Sequence, residues 1–213
     1  MNRAFSILVF ISFCFLNSFC KKEKADSDSN ADISHPKFEY YFPVQTDSLD
    51  NKYDQEGKLH PLVNDWYSSH LKSLEEPILY NKKDSSYIIR YTNLGTWDRP
   101  FCYRIQKFNS GISITHKETN RQGGYEPGKK TLDSTIFLNF EKFQKLERQI
   151  NDFDFWRKPS FNERGFDGAE WILEIYKNGK YKFITRWSPR RENEAEFIDI
   201  CAMIEEIYNE KSH

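Results

Sequence analysis

A glycine-rich segment is the first feature of the chain that could take part in chemistry. Residues 123–128 run Gly-Gly-Tyr-Glu-Pro-Gly, and Lys129 and Lys130 follow them. This order fits part of the pattern of a phosphate-binding loop, in which backbone N–H groups between a strand and a helix contact the phosphate. Pro127 lacks an N–H, Lys130 stands where that loop needs Ser or Thr, and a β-branched, strand-like segment follows. We therefore expect no nucleotide site here.

Other candidate catalytic groups are too far apart or too scattered. Glu170 and Glu174 would lie on one strand face about 13 Å apart, whereas paired glycosidase carboxylates need roughly 5–9.5 Å. The five histidines show no i, i+3 or i+4 spacing, and the chain has no C-x-x-C motif. We therefore expect neither a metal nor a cofactor. His116 continues the alternation of Ile112 and Ile114, which predicts a half-buried, hydrogen-bonded side chain.

Cys102 and Cys201 are the two cysteines that follow the first 20 residues. If the chain is exported, its thiols reach an oxidising compartment, where they either form a disulfide or remain buried and free. The sequence leaves both alternatives open, because it does not give the Cα separation of about 5.5 Å that a disulfide needs.

The clearest local element is a β-hairpin in the second half of the chain. Strands from Ala169 to Tyr176 and from Tyr181 to Trp187 flank Asn178-Gly179. Asn-Gly is the strongest short hairpin signal, because both turn positions need positive φ. A two-residue turn then places Trp171 opposite Arg186.

Polar and aromatic residues gather at the open end of this hairpin: Asp167, Trp171, Arg186 and Trp187. Arg186 over the Trp171 ring would form a cation–π contact of ~0.5–2 kcal/mol. Asp167 would pair with the same guanidinium. We expect this cluster to fix the hairpin to the core, and the alternative is a small pocket for a ligand or partner.

The remaining pattern predicts further strands and three helices. Strand-like runs begin near residues 87, 101, 112 and 132. Three sets of largely apolar residues have helical spacing, and each predicts one buried helix face: Leu62, Trp66, Leu71 and Leu74; Phe143, Leu146, Ile150 and Phe153; and Phe197, Cys201, Ile204 and Tyr208. Asn139 is expected to cap the second helix. Because strands outnumber helices and short turns join them, we expect an α+β fold, with an antiparallel sheet built from hairpins and packed with about three helices.

The composition is polar, with an aromatic core. Of the 213 residues, 38% are apolar and 30% are charged, against roughly 45–50% and 25% in typical domains. Aromatic residues make up 16% of the chain, and each buries roughly 150–250 Å² when packed. The formal net charge of −1 gives no bulk attraction to nucleic acid or acidic lipid, so we expect no nucleic-acid partner.

The N-terminus has the pattern of a secretory signal. Arg3 supplies a positive charge, and residues 4–19 form an almost unbroken apolar run. At ~1.5 Å per residue this run covers ~24 Å, which is less than the bilayer core of ~30 Å. We therefore expect residues 1–19 to be a signal peptide.

The residues before Cys20 resemble a bacterial lipobox, the site where a cysteine thiol is acylated before cleavage. The common pattern has Leu three residues before the Cys and a small residue directly before it, whereas Leu16 stands four before and Phe19 directly before. We expect acyl chains such as palmitate at Cys20 to anchor the protein in the inner or the outer membrane. The alternatives are a plainly cleaved signal and an uncleaved anchor.

A polar tether is expected to connect this anchor to a single domain. Residues 20–37 carry mostly Lys, Glu, Asp, Ser and Asn and cannot bury enough apolar surface to fold. Residues 38–213 would then form one globular α+β domain.

Several segments resemble a family of bacterial secreted proteins and lipoproteins to which no activity or ligand is assigned. The most specific is residues 167–174, Asp-Gly-Ala-Glu-Trp-Ile-Leu-Glu, with Tyr181 and residues 186–189, Arg-Trp-Ser-Pro. Upstream, the segments that match in the same order are Arg99-Pro100 with residues 103–105, residues 123–128 and Phe155-Trp156. The match covers roughly residues 78–189 and departs at residues 95–98. The resemblance implies one folded unit and assigns no site residue.

These observations favour a non-enzymatic lipoprotein of the bacterial cell envelope that binds an envelope protein or a cell-wall component. The alternative is an envelope hydrolase whose site is assembled from residues distant in sequence. A deep pocket with two convergent carboxylates, or a His beside a nucleophile, would favour the enzyme. A flat aromatic patch would favour binding.

Overall fold

Among the residues that the structure describes, one antiparallel sheet and three helices form the domain. The computed structural model describes residues 39–46, 51–54, 57–161 and 165–210, and all of them belong to a compact unit that spans residues 37–213. The predicted signal peptide, Cys20 and the tether lie outside the described residues. In the described part of the chain no helix is long and apolar enough to cross a membrane.

The sheet has six strands in the order β4-β3-β2-β1-β5-β6, and every neighbouring pair is antiparallel. The first four strands form a meander, and the hairpin of the last two adds to the free side of the first. This confirms the predicted α+β fold. In chain order the elements are α1 (Pro61–Ser73), β1 (Tyr87–Gly95), β2 (Phe101–Phe108), β3 (Gly111–Thr119), β4 (Lys130–Leu138), α2 (Phe140–Asp152), β5 (Ala169–Lys177), β6 (Lys180–Trp187) and α3 (Arg191–Asn209).

The hairpin of β5 and β6 has the predicted register. Trp171 pairs with Arg186. Asn178 and Gly179 form the turn with φ values of 51° and 81°. Both values fall in the left-handed region that this tight turn requires, which is why Asn-Gly fixed the register from sequence alone.

One face of the sheet packs against α2 and α3. The two predicted helical stripes, from Phe143 to Phe153 and from Phe197 to Tyr208, are buried in one apolar cluster with the facing strand residues. The Asn139 side chain accepts a hydrogen bond from the Lys142 N–H and so caps α2, as its position predicted. Helix α3 begins at Arg191, six residues before Phe197, the first residue of its predicted stripe.

The other face packs against α1, and here the predicted apolar stripe is wrong at its first residue. Leu62 is 73% exposed, whereas Asn64 and Ser68 are buried. The Asn64 amide donates to the Phe42 carbonyl over 2.9 Å, and Ser68 Oγ donates to Asn64 Oδ1 over 2.8 Å and accepts from the Tyr41 N–H. Because these polar groups have partners, burying them costs little, and apolar spacing alone could not identify this face.

A buried ionic network lies on the same face of the sheet. Arg90 holds both carboxylate oxygens of Glu174, at 2.6 and 2.8 Å, and also contacts Glu76 at 3.3 Å. Glu76 in turn contacts Arg104 Nε at 2.9 Å and Lys117 Nζ at 3.0 Å. The network joins the segment after α1 to four strands, β1, β2, β3 and β5, and its charges are paired as burial requires.

Candidate functional site

The predicted hairpin cluster is divided between separate environments. Arg186 is 2% exposed, and its Nε donates to Glu194 Oε2 over 2.8 Å. Its Nη1 donates to the carbonyl of Pro159 over 2.9 Å, and the guanidinium lies 3.8 Å from the centre of the Phe161 ring. Arg186 therefore joins β6 to the first turn of α3, and the predicted Asp167–Arg186 pair is wrong.

Asp167 turns away from the hairpin toward the loop between β1 and β2. Its Oδ1 accepts a hydrogen bond from Trp97 Nε1 over 3.1 Å. The neighbouring Gly168 carbonyl accepts from the Thr96 N–H over 2.7 Å. Asp167 precedes Ala169, the first residue of β5, so the strand register does not fix the direction of its side chain. Hairpin pairing therefore could not predict this partner.

Trp171 and Trp187 do not line a common pocket with Arg186. Trp171 packs against Tyr91, with ring centroids 5.5 Å apart, on the α3 side of the sheet. The aromatic neighbours of Arg186 are Phe161 and Phe197 rather than the predicted Trp171. Trp187 points to the opposite face, because adjacent strand residues alternate. Its indole lies against Gly165 and Gly168.

The two cysteines are free thiols on opposite faces of the sheet. Cys102 lies in β2 on the side of Glu76 and Arg90, and Cys201 lies in α3 within the other apolar cluster. The sheet separates them, so of the two alternatives the structure has the free thiols. Burial raises the pKa of both thiols well above its ordinary value, which keeps them protonated and unreactive.

A shallow pocket with two exposed aromatic rings lies where the β1–β2 and β3–β4 loops meet. Its volume is about 490 Å³, and we call it the Trp97–Tyr125 pocket. Trp97 is 56% exposed and Tyr125 is 52% exposed, with ring centroids 5.7 Å apart and planes inclined at 53°. The lining residues are Trp97, Arg99, Asn120, Arg121, Gln122 and Tyr125.

Backbone hydrogen bonds fix these two loops against each other. The Gly123 N–H donates to the carbonyls of Gly95 and Asp98, both over 2.9 Å, and the Gly124 N–H donates to the Thr96 carbonyl over 3.2 Å. A Cβ on Gly123 would lie 2.8 Å from the Gly95 oxygen, so only glycine allows this approach. The aromatic rings are therefore held on a rigid support.

Helix α1 holds the β3–β4 loop through side-chain hydrogen bonds to the loop backbone. Trp66 Nε1 donates to the Gly123 carbonyl over 2.7 Å, and Ser73 Oγ donates to the Gly128 carbonyl. His70 is fully buried beneath the loop, and neither of its ring nitrogens has a hydrogen-bond partner among the described residues. Burial lowers the pKa of His70 to about 4. The nearby backbone of Gly123 and Tyr125 raises this pKa, but its effect is smaller than that of burial. The imidazole is therefore neutral at neutral pH.

The charge of the pocket is positive. Arg99 and Arg121 are both exposed, and neither forms an ion pair with any residue that the structure describes. The Asn120 side chain accepts a hydrogen bond from the Lys129 N–H over 2.9 Å, which fixes its amide. The lining contains two guanidinium groups and two amides, and it contains no carboxylate and no aliphatic side chain.

The described residues contain neither arrangement that would favour a hydrolase. Glu170 and Glu174 belong to separate ion pairs, with Lys52 at 2.7 Å and Arg90 at 2.6 Å. His116 stacks on Tyr103 at 4.2 Å and lies 3.3 Å from a Glu118 oxygen, without a nucleophile beside it. No group of three or more His, Cys, Asp or Glu side chains in the described ranges is arranged to hold a metal ion.

Sequence reasoning missed the Trp97–Tyr125 pocket, although a signal for it was present. In an antiparallel meander the β1–β2 and β3–β4 loops lie at the same end of the sheet. Each loop carries an aromatic residue beside glycine and arginine, in residues 95–99 and 121–125. Topology and composition together therefore indicate the pocket.

Comparisons with protein-family models and with curated proteins found no match to this chain.

Proposed function

We propose that this chain is a bacterial cell-envelope lipoprotein, anchored through Cys20, whose domain is a non-enzymatic binding module. The observation that carries the binding function is the exposed Trp97–Tyr125 ring pair on hydrogen-bonded loops. The sequence pattern of residues 1–20 supports the anchor.

The energetics of recognition support the Trp97–Tyr125 pocket as the binding surface. Trp, Tyr and Arg are the residues that most often dominate binding energy at interfaces, and the pocket supplies all three. A partner that covers the two rings removes apolar surface from water, at about 25 cal/mol per Å². Because the supporting loops are already fixed, little ordering entropy opposes binding.

The enzyme alternative makes a different prediction for the same surface. A hydrolase would need convergent carboxylates, or a His and a nucleophile, beside the rings. Among the residues that the structure describes, the titratable side chains that line the pocket are the two arginines and Tyr125, and the adjacent His70 is buried and neutral. This lining supplies neither a carboxylate pair nor a His beside a nucleophile, which favours ligand binding over hydrolysis.

Metabolic labelling with fatty acid tests the anchor. We expect the label to enter the wild-type chain and the Cys20→Ala substitution to abolish it, because the substitution removes the acylated thiol. Release of an unlabelled wild-type chain by a salt wash would contradict the lipoprotein assignment.

Co-sedimentation with envelope fragments tests the binding surface. The full chain in detergent micelles is mixed with wall fragments that the same detergent has stripped of lipid, so that the anchor does not contribute. We expect the Trp97→Ala/Tyr125→Ala variant to lose at least tenfold in retention, because two central aromatic contacts disappear. Trp156→Ala is the matched control, since Trp156 is also exposed but lies outside the pocket.

Equal retention of the double variant and the wild type would contradict the proposed binding surface. Release of soluble wall fragments during the incubation would instead favour the hydrolase.

A further inference from the structure

We propose that the Trp97–Tyr125 pocket binds an acidic saccharide, a sugar unit that carries a carboxylate. This inference rests on the proposed binding function and names its ligand class.

The two rings form an open angle that fits the C–H face of a sugar ring. Trp97 and Tyr125 both line the pocket, with ring centroids 5.7 Å apart and ring planes inclined at 53°. The face of an aromatic ring is electronegative and attracts the positively polarised C–H groups of a saccharide. The hydrogen bond from Trp97 to Asp167 fixes the orientation of the indole before a ligand arrives.

The guanidinium groups supply the preference for a carboxylate. Arg99 and Arg121 line the pocket and have no carboxylate partner among the described residues. Guanidinium is planar and binds a carboxylate through two parallel N–H···O bonds. A carboxylate ligand would therefore meet two unpaired cations in a lining that contains no competing acid.

The polar lining favours a saccharide over a protein surface. Apart from the two rings, every side chain that lines the pocket carries amide or guanidinium groups. Such groups match the hydroxyls and ring oxygens of a sugar. A concave pocket of this kind suits a small ligand, whereas a protein partner covers a broader surface of roughly 800 Å² on each side. The volume of about 490 Å³ falls within the range of ligand pockets, roughly 300–1,000 Å³.

Titration of the full chain with two matched oligosaccharides tests this inference. Tetragalacturonate carries a carboxylate on each sugar, and galactotetraose of the same linkage carries none. We expect tetragalacturonate to bind at least tenfold more tightly at low ionic strength, with the preference falling as salt screens the charges.

Variants separate the contribution of the rings from that of the charges. Trp97→Ala should weaken the binding of both oligosaccharides about tenfold, and Trp97→Phe should restore part of the affinity. Arg99→Gln and Arg121→Gln should each weaken only tetragalacturonate, by about tenfold, because charged hydrogen bonds are lost. The controls Trp156→Ala and Arg157→Gln should bind like the wild type, since neither residue lines the pocket.

Equal affinity for the two oligosaccharides would overturn the acidic preference. If neither binds but retention on envelope fragments still depends on Trp97 and Tyr125, the saccharide inference fails and the proposed binding function stands. If that retention is also independent of both residues, the proposed function fails as well.

Discussion

Replacing Arg186 by alanine should destabilise the domain strongly, whereas replacing Asp167 should not. Arg186 is buried and contacts Glu194, two backbone carbonyls and the Phe161 ring. Asp167 is exposed and its only described side-chain bond goes to Trp97. Comparing the two substitutions therefore distinguishes the observed Arg186–Glu194 contact from the Arg186–Asp167 pair that the sequence predicted.

The magnitude follows from the groups that Arg186→Ala leaves without partners. The substitution removes hydrogen bonds to the Pro159 and Thr185 carbonyls and to the carboxylate of Glu194, whose side chain is 15% exposed. Breaking a buried charged pair costs about 3–5 kcal/mol. A domain of this size loses ~2–4 °C of melting temperature per kcal/mol, so the melting temperature should fall by about 10 °C.

Thermal unfolding of single and double variants measures these effects. Glu194→Ala should lower the melting temperature less than Arg186→Ala, because Glu194 is partly solvated. The Arg186→Ala/Glu194→Ala variant should be less than additive, since the two residues share one interaction. Asp167→Ala should change stability by less than ~0.5 kcal/mol. Its combination with Arg186→Ala should be additive.

Two results would contradict the Arg186–Glu194 pair. The first is an Asp167→Ala variant that unfolds at the same reduced temperature as Arg186→Ala. The second is a coupling free energy for Arg186 with Asp167 that exceeds the coupling with Glu194.

Three further predictions concern the interior. Glu76→Gln should destabilise the domain by about 3–5 kcal/mol in urea unfolding, because it leaves Arg104 and Lys117 without their carboxylate partner. Wild-type stability would contradict this. Burial lowers the pKa of His70 and His116 from 6.5 to about 4. Between pH 4 and pH 6.5 the unfolded state therefore binds more protons than the folded state. The free energy of unfolding should therefore fall by up to about 3 kcal/mol per histidine as the pH drops from 6.5 to 4, and His70→Gln should lose about half of that dependence. Cys102 and Cys201 should react with a thiol reagent only after unfolding, and reductant should leave the melting temperature unchanged; rapid labelling of the native chain would refute their burial.

The elements that could be predicted from sequence are those determined by local spacing. Asn178-Gly179 determined the register of β5 and β6, and the apolar stripes of α2 and α3 identified their buried faces. Both signals act within a few residues, where turn geometry and helical periodicity constrain the chain directly.

The parts that sequence reasoning missed depend on contacts between distant residues. The buried face of α1 carries Asn64 and Ser68, whose partners lie more than 20 residues away in the preceding segment. Arg186 has several potential carboxylate partners nearby in sequence, and only the packing of α3 selects Glu194. The Trp97–Tyr125 pocket likewise joins two loops that only the sheet topology brings together.

Oxidative footprinting of the full chain on detergent-stripped envelope fragments tests whether the Trp97–Tyr125 pocket is the binding surface, because it measures the exposure of each ring when the partner is bound. We expect the oxidation of Trp97 and Tyr125 to fall on binding, whereas that of the exposed Trp156 and Phe166 should not change. Unchanged oxidation of Trp97 and Tyr125 on a chain that is retained by the fragments would contradict the claim that this pocket is the binding surface.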